Sequence, residues 1–430
     1  MAREMKNSGI AWVGEIPKNW KIVSVSAFFD EVKRPNTNQE ETNTLQFKMG
    51  DIISKKGGDS KYNPETIEAY NVVEPGTIML NGLNLSFDLI SQRVAQVREK
   101  GAITSTYLAI MPKKGLCSDY AKYLLKSYDN CKALHSMGRG LRATISFNSI
   151  RNEPILLPLE SEQQSIANFL DEKCSEIDEL ISLQEKMIDE LKSYKQSVIT
   201  EAVTKGLDRN VKMKDSGIAM IGTIPYHWGI AHFTKVNWIR ARLGWKGLKA
   251  EEYVEQGHPF LSAFNIINDK LDWRDLNFID DIRYEESPEI KLTVNDLVLV
   301  KDGAGIGKCA VVDSLPYGTS TVNSSLAVIT PNKHINSLYQ YYCLKSEAFQ
   351  KIIWQLKIGM GVPHLTQENM KAIINPCPPL EEQIKIASYL DTKCSEIDTL
   401  ISIKQQKIEE LKEYKKSLIY EYVTGKKEVV

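Results

Sequence analysis

The stretch Glu162 to Gly206, EQQSIANFLDEKCSEIDELISLQEKMIDELKSYKQSVITEAVTKG, decides the fold, because it recurs without a gap at Glu382 to Lys426 with 26 of 45 positions identical. In the first copy Leu170, Cys174, Ile177, Ile181, Ile188, Leu191 and Val198 fall on alternating steps of three and four, with Gln184 and Lys195 in the same register. In the second copy Leu390, Cys394, Ile397, Ile401, Ile408, Leu411 and Leu418 repeat the pattern, with Lys404 and Lys415 as polar members. This spacing is the a/d seam of a coiled coil, sustained over about four heptads. Pro158 and Pro378-Pro379 stand before the two blocks and Gly206 and Gly425 at their ends, as helix boundaries require. At about 1.5 Å per residue, 40 such residues make a rod on the order of 60 Å long.

A helix with one apolar stripe cannot bury it alone, and two near-identical helices in one chain are natural partners. Parallel pairing would oblige the intervening chain to travel back the whole rod length. Antiparallel pairing needs no such return and implies pseudo-twofold symmetry. Separate packing of each helix on its own domain is the alternative that the sequence leaves open.

Working outward, residues 5 to 20 (MKNSGIAWVGEIPKNW) return at residues 213 to 228 (MKDSGIAMIGTIPYHW) with ten of sixteen positions identical. Between leader and helix, each half holds about 140 residues with little mutual similarity. The order is a short leader, a variable domain and a long helix, then all three again; such internal repetition bounds the architecture before any detail is read. The variable halves read as mixed α and β. Gly76-Thr-Ile-Met-Leu, Arg93-Val-Ala-Gln-Val, Asn295-Asp-Leu-Val-Leu-Val and Cys309-Ala-Val-Val-Asp are short strand-like runs, and Tyr120 to Tyr128 and Ser337 to Lys351 read as helices.

Composition narrows the class. The chain has 430 residues, enough for two or three domains, and 42% hydrophobic with 25% charged residues is ordinary for a globular protein. Fifty-four Lys and Arg against 55 Asp and Glu give a net charge of -1, which excludes a uniformly basic nucleic-acid coat but not a local basic face. No apolar run approaches the roughly 20 residues of a membrane span, and the polar Met1 to Ile10 does not read as a signal peptide. Seven cysteines without C-x-x-C spacing and six scattered histidines suggest neither disulfides nor a metal. The expectation is a reduced, metal-free, cytoplasmic protein.

Several motifs bear on chemistry. Asp302-Gly-Ala-Gly-Ile-Gly-Lys follows a strand, as a dinucleotide fingerprint would. What comes next, Lys308-Cys-Ala-Val-Val-Asp, reads as another strand, so no helix N-terminus points at a phosphate. A glycine-rich hairpin is the better reading. Asn375-Pro-Cys-Pro resembles an amino-methyltransferase motif but lacks its adjacent second proline and aromatic, and it fits a proline stop before a helix. No catalytic constellation emerges. The basic clusters say more: Arg240-Ala-Arg-Leu-Gly-Trp-Lys-Gly-Leu-Lys, Lys55-Lys-Gly-Gly, and the paired Gly138-Arg-Gly-Leu-Arg-Ala-Thr and Gly359-Met-Gly-Val-Pro-His-Leu-Thr shortly before each long helix. Any one of them could be a solvated loop. Their recurrence in both halves favours DNA, since Arg and Lys neutralise phosphates while Arg, Asn and Gln read base edges.

Two leaders K-[ND]-S-G-I-A-x-[VI]-G-x-I-P-x-x-W and two helix entries E-Q-x-x-I-A-x-[FY]-L-D-x-K-C-S-E-I-D resemble the specificity subunit of type I restriction-modification systems, over the whole chain. Asn81-Gly-Leu-Asn-Leu-Ser-Phe-Asp, Gly101-Ala-Ile-Thr-Ser-Thr-Tyr and Lys301-Asp-Gly-Ala-Gly-Ile-Gly-Lys are weaker matches to that family. The resemblance implies an α+β fold with two mixed α/β target-recognition domains in pseudo-twofold arrangement, joined by two long helices in an antiparallel coiled coil. The expected bounds are 1–157 and 207–377 for the recognition domains, and 158–206 and 378–430 for the helices, the last with a C-terminal tail. It implies that each domain reads half of a split, asymmetric DNA target while the coiled coil sets the spacing and docks two methyltransferase subunits. Restriction (motor-nuclease) subunits would complete the complex. The chain itself would be non-catalytic and bind no cofactor, with S-adenosylmethionine, ATP and Mg on the partners. The DNA contacts expected are Lys55, Lys56, Asn81, Asn84, Arg93, Arg139 and Arg142 in the first domain. In the second they are Arg240, Arg242, Trp245, Lys246, Lys249, Lys301, Lys308 and His364. The lysines would take phosphates and the arginines and asparagines bases. Two other classes compete: a fused methyltransferase or nuclease, which binding of S-adenosylmethionine by the chain alone would reveal, and a two-headed protein-interaction scaffold, which would lack salt-dependent DNA affinity.

Overall fold

The computed structural model describes residues 3–55, 67–85, 92–138, 144–242, 250–357 and 363–429. The chain divides into two compact units, Met1–Glu185 with Gln405–Val430, and Lys186–Lys404. That division cuts through both long helices, Glu160–Lys205 and Leu380–Val423, so each unit holds the beginning of one and the end of the other.

Within each unit the two helix segments run antiparallel. In the first, Ile166, Ala167, Leu170, Cys174 and Ile177 share a core with Leu418, Ile419 and Val423. In the second, Val198, Ile199, Ala202 and Val203 share a core with Ile386, Ala387, Leu390 and Cys394. Early residues of one helix therefore meet late residues of the other, which the opposite polarity alone allows. Ile188, Ile397 and Ile408 are also buried, while Ile181, Leu191, Ile401 and Leu411 are half-buried. Burying a Leu or Ile contributes about 1.5–3 kcal/mol relative to leaving it in water, so this stripe dominates the pairing. Two of the polar seam members are ion-paired across it. Lys415 meets Asp178 at 2.6 Å in the first unit, and its repeat counterpart Lys195 meets Asp398 at 2.7 Å in the second.

The leaders lock these helix ends. Strands Met5–Asn7 and Glu15–Pro17 form an antiparallel hairpin in the register Met5↔Pro17, and Met213–Asp215 pairs with Thr223–Pro225 in the equivalent register Met213↔Pro225. The tryptophan that closes each leader is buried, and its indole N–H donates to a glutamate at a helix start: Trp20 to Glu162 and Trp228 to Glu382, each at 3.0 Å. A Cβ on Gly425, which ends the second helix at φ +70°, would come within 3.0 Å of the Trp20 ring. The leader, one helix's beginning and the other's end thus meet at one indole.

The variable halves share a topology that their sequences hide. In the first, the strands Phe29–Glu31, Leu108–Pro112, Ile78–Leu80 and Val94–Gln96 lie side by side in that order, all antiparallel. In the second, Asn237–Arg240, Leu326–Pro331, Leu297–Val300 and Cys309–Val311 do the same. A helix follows the sheet in each: Ser118–Asn130 in the first, Ser337–Lys345 and Glu347–Leu356 in the second. The single helix expected over Ser337 to Lys351 is broken at Ser346, which is extended, donates from Oγ to the Cys343 carbonyl at 2.8 Å and caps the next helix through the Phe349 N–H. A final strand in each half, Pro154–Leu157 or Ile374–Cys377, pairs with Lys21–Ser24 or Gly229–His232 and leads into the long helix. The fold class is α+β, with two mixed domains and an antiparallel helix pair.

Candidate nucleic-acid interface

The glycine-rich segment 302–308 is a hairpin. Leu299 and Cys309 are partners in the antiparallel strands on either side, so no phosphate-binding helix follows the glycines. Gly303 and Gly307 have φ of +87° and +88°, a region that side chains with a Cβ rarely enter. A Cβ on Gly307 would also sit 2.6 Å from Oε1 of Gln350, whose Nε2 donates to the Gly307 carbonyl at 3.0 Å. The hairpin is further tied to the segment before the last strand, because Gly303 N donates to the Pro363 carbonyl at 2.9 Å and Leu365 N to the Lys301 carbonyl at 2.8 Å. From its other side Lys301 N donates to the Ser325 carbonyl at 2.9 Å. Three chain segments therefore converge on one loop cluster that carries Lys301, Asp302, Lys308 and His364.

The charges in this cluster are unequal in availability. Asp302 pairs with the Lys301 ammonium at 2.7 Å and with Nδ1 of His364, and the Lys301 side chain is only 12% exposed. Lys308 is exposed at the end of the hairpin. Lys308 is thus presented to a phosphate as it stands, whereas Lys301 and His364 reach one only in exchange for Asp302.

The first domain builds the same place from other residues. Asn81 to Asn84 follow the strand Ile78–Leu80, and Ile145 N donates to the Gly82 carbonyl at 3.0 Å, as Leu365 does to Lys301. Asn84 is exposed at φ 52°, and Asn81 is half-buried, accepting from Leu83 N. Lys55 is exposed, its backbone N–H bonded to the Thr44 carbonyl. Both asparagines and Lys55 are placed where DNA could reach them.

Two expected contacts are corrected. Arg93 is fully buried: its Nη1 donates to the carbonyls of Asn81 at 2.9 Å and Leu83 at 2.8 Å, and its backbone N–H donates to Asp129 at 2.8 Å. It pins the Asn81–Asn84 loop from beneath instead of touching DNA. Burial pushes the Asp129 carboxyl above its ordinary value, against the Arg93 backbone N–H, which pulls it down. Arg240 is likewise 7% exposed. Its Nη2 pairs with the buried Asp296 at 2.9 Å, its Nη1 donates to the Lys291 carbonyl at 2.9 Å, and the Trp238 ring lies 4.6 Å from the guanidinium carbon. In both cases an arginine beside a strand reads as basic surface in sequence, yet its fork of donors satisfies buried carbonyls and carboxylates. Arg242 is half-buried, and burial followed by the nearby Arg283 charge lowers its pKa. Lys56, Arg139, Arg142, Trp245, Lys246 and Lys249 lie outside the described residues.

Asn375, part of the methyltransferase-like tetrapeptide, is buried in its strand with its amide bonded to Gln340, so it performs packing work. Among the described residues no group of three or more His, Cys, Asp or Glu could hold a metal. Cys309 is wholly buried and its thiol is pushed up to about 12, far from a nucleophile's range. Among the described residues, no helix is long and apolar enough to cross a membrane. What sequence reading missed is Gln350, which holds the hairpin; a polar residue opposite glycines carries no signal of its own in a single sequence.

Comparison with known proteins gives the same picture. A family model described as the type I restriction modification DNA specificity domain matches residues 250–413. The MjaVIII specificity subunit of Methanocaldococcus jannaschii is 26% identical over 418 residues, covering 96% of this chain and 93% of that protein. The chain is thus similar to type I restriction-modification specificity subunits along almost its whole length. The EcoKI specificity subunit of Escherichia coli is 28% identical over 209 residues, 48% of this chain and 44% of that protein. In fold, the chain matches a protein from a structural study of complex assembly and conformational transition of the type I R-M system, with a TM-score of 0.71 at 15% identity. That match covers 95% of this chain and 98% of the other. The HsdS subunit from Thermoanaerobacter tengcongensis matches with a TM-score of 0.50 over 95% of this chain and 98% of that one, also at 15% identity.

Proposed function

We propose that each variable domain reads one half of a split DNA target, through the loop cluster that follows Ile78–Leu80 in the first domain and Leu297–Val300 in the second. The observation that carries this reading is the recurrence of one backbone arrangement, Ile145 on Gly82 and Leu365 on Lys301, around different side chains: Asn81 and Asn84 in one, Lys301, Lys308 and His364 in the other. Equal scaffolds with unequal reading groups make the two half-sites different in sequence. The antiparallel helix pair sets the gap between them, and its outer faces, rich in Glu and Lys, dock two methyltransferase subunits. Motor-nuclease subunits complete the restriction complex. S-adenosylmethionine, ATP and Mg belong to those partners, and the complex works in the cytoplasm. Near-zero net charge is compatible with this role, because phosphate contacts concentrated in a few loops need no basic body.

Methylation mapping of host DNA with and without this gene, the cognate methyltransferase being present, tests the reading. A gene-dependent split motif methylated on adenine in both halves is expected. Two equal half-sites would refute the asymmetric part. Absence of any gene-dependent methylation, with a soluble complex in hand, would favour a protein-interaction scaffold.

A further inference from the structure

Trp354 is 62% exposed, and the loop cluster described above makes no use of it. It stands on the helix Glu347–Leu356, whose Ala348, Phe349 and Ile353 are buried. Gln350, the residue that holds Gly307, is one turn earlier, and residues four apart share a helix face. Beyond the helix the chain returns to the same hairpin through the Gly303 N–H to Pro363 bond. Trp354 is therefore bracketed on both sides by anchors to the segment 302–308. The Lys357 ammonium lies 2.8 Å from the centroid of its ring, so a cation stands against an indole that is otherwise largely open to solvent. Trp238, 63% exposed, differs: it lies against Arg240, whose guanidinium is committed to Asp296.

We propose that Trp354 is a DNA-contacting residue of the second recognition domain, its exposed ring packing on a nucleotide of the second half-site. Lys357 then meets the adjoining phosphate. An indole accepts any base or sugar face without demanding a hydrogen-bond pattern, so it supplies affinity and position while neighbouring loops supply the reading. Lys357 and the exposed Lys308 make the surroundings cationic, which fits a nucleic acid better than an apolar protein surface. The inference rests on the DNA reading proposed above and deepens it.

The test uses the complex with its methyltransferase subunit and duplexes carrying both mapped half-sites, the first scrambled, or the second scrambled. Trp354→Ala is expected to weaken binding to the full target about tenfold, and Trp354→Phe to retain most of the affinity. The loss should persist when the first half-site is scrambled and vanish when the second is. Wild-type tryptophan fluorescence should be quenched by target DNA more than that of Trp354→Phe. Trp354→Ala binding the full target as tightly as wild type would overturn the proposal. So would a variant that assembles poorly with the methyltransferase while each assembled complex binds DNA normally, which would mark a protein-docking residue. A wild-type complex without preference for either half-site removes the DNA reading itself, a failure visible before any variant is made.

Discussion

Arg93 and Arg240 show how a basic residue can serve the fold and not the surface. Each spends its guanidinium on groups that the fold buries: Arg93 on the carbonyls under the Asn81–Asn84 loop, Arg240 on Asp296. Removing one partner of a buried pair leaves an uncompensated charge, at a cost of about 3–5 kcal/mol. Arg240→Ala is therefore expected to lower the thermal stability of the second domain by that order, and to impair DNA binding only as far as the domain unfolds. A stable Arg240→Ala protein that had lost DNA affinity would instead restore the direct contact expected from sequence. Asp129, under the Arg93 loop, adds a pH dependence. Its folded-state pKa is raised by burial, so the folded state holds the proton more tightly than the unfolded chain. The penalty for burying the charge is absent below the unfolded value of about 3.9 and grows as pH rises through the folded value. Asp129→Asn, which keeps an acceptor for the Arg93 N–H, should gain stability relative to wild type between pH 4 and pH 7. Thermal unfolding at the two pH values measures the difference, and a relative gain in the opposite direction would refute the assignment.

At the scale of elements, the long helices were the legible part. A three-four spacing of Leu, Ile and Cys, bounded by Pro and Gly, has one physical solution, and the helices Glu160–Lys205 and Leu380–Val423 are that solution. Pairing polarity was an inference from connectivity, and it is visible in the cores where Leu170 shares a cluster with Leu418, and Val198 with Leu390. The Lys415–Asp178 and Lys195–Asp398 pairs could not be read beforehand, since they depend on which residues the antiparallel register brings opposite. Being half-exposed they are worth only about 0.2–1 kcal/mol each, so they tune the register that the apolar stripe stabilises. The variable domains were legible only as short strands; their common sheet order arises from long-range pairing that no local pattern encodes. The loop cluster was half legible for the same reason. Glycine spacing announced the hairpin at 302–308, but whether a nearby arginine faces out or in is settled by tertiary partners such as Asp296. Ile181 and Ile401 hold repeat-equivalent positions, and each substitution by Asp places a carboxylate in the seam. The loss should reach about 2–5 kcal/mol per site, the order of an apolar deletion, before the desolvation of the charge is added. The double variant is expected to lose assembly with the methyltransferase in size-exclusion chromatography. Undisturbed assembly would remove the coiled coil from the docking role.

For the whole molecule, duplication explains why specificity can change without rebuilding the scaffold. The leaders, the helix ends and the tryptophans at 20 and 228 are near copies because they make the same bonds, Trp20 to Glu162 and Trp228 to Glu382. The sheets also share an order, yet the loops that follow Leu80 and Val300 carry different side chains. If the proposed reading loops are replaceable cargo on this duplicated frame, the recognised sequence should follow the cargo. A chain in which residues 207–377 are replaced by a second copy of 1–157 keeps a leader, a final strand and a helix entry at each junction. With the methyltransferase present, it is expected to methylate a target containing the first half-site twice, with the gap unchanged because both helices are retained. Methylation mapping reads both quantities in one experiment. A chimera that assembles but still methylates the original asymmetric motif would place specificity in the shared frame and not in the loop clusters. Retention of one half-site together with an altered gap would show that the domains, and not the helix pair, set the spacing.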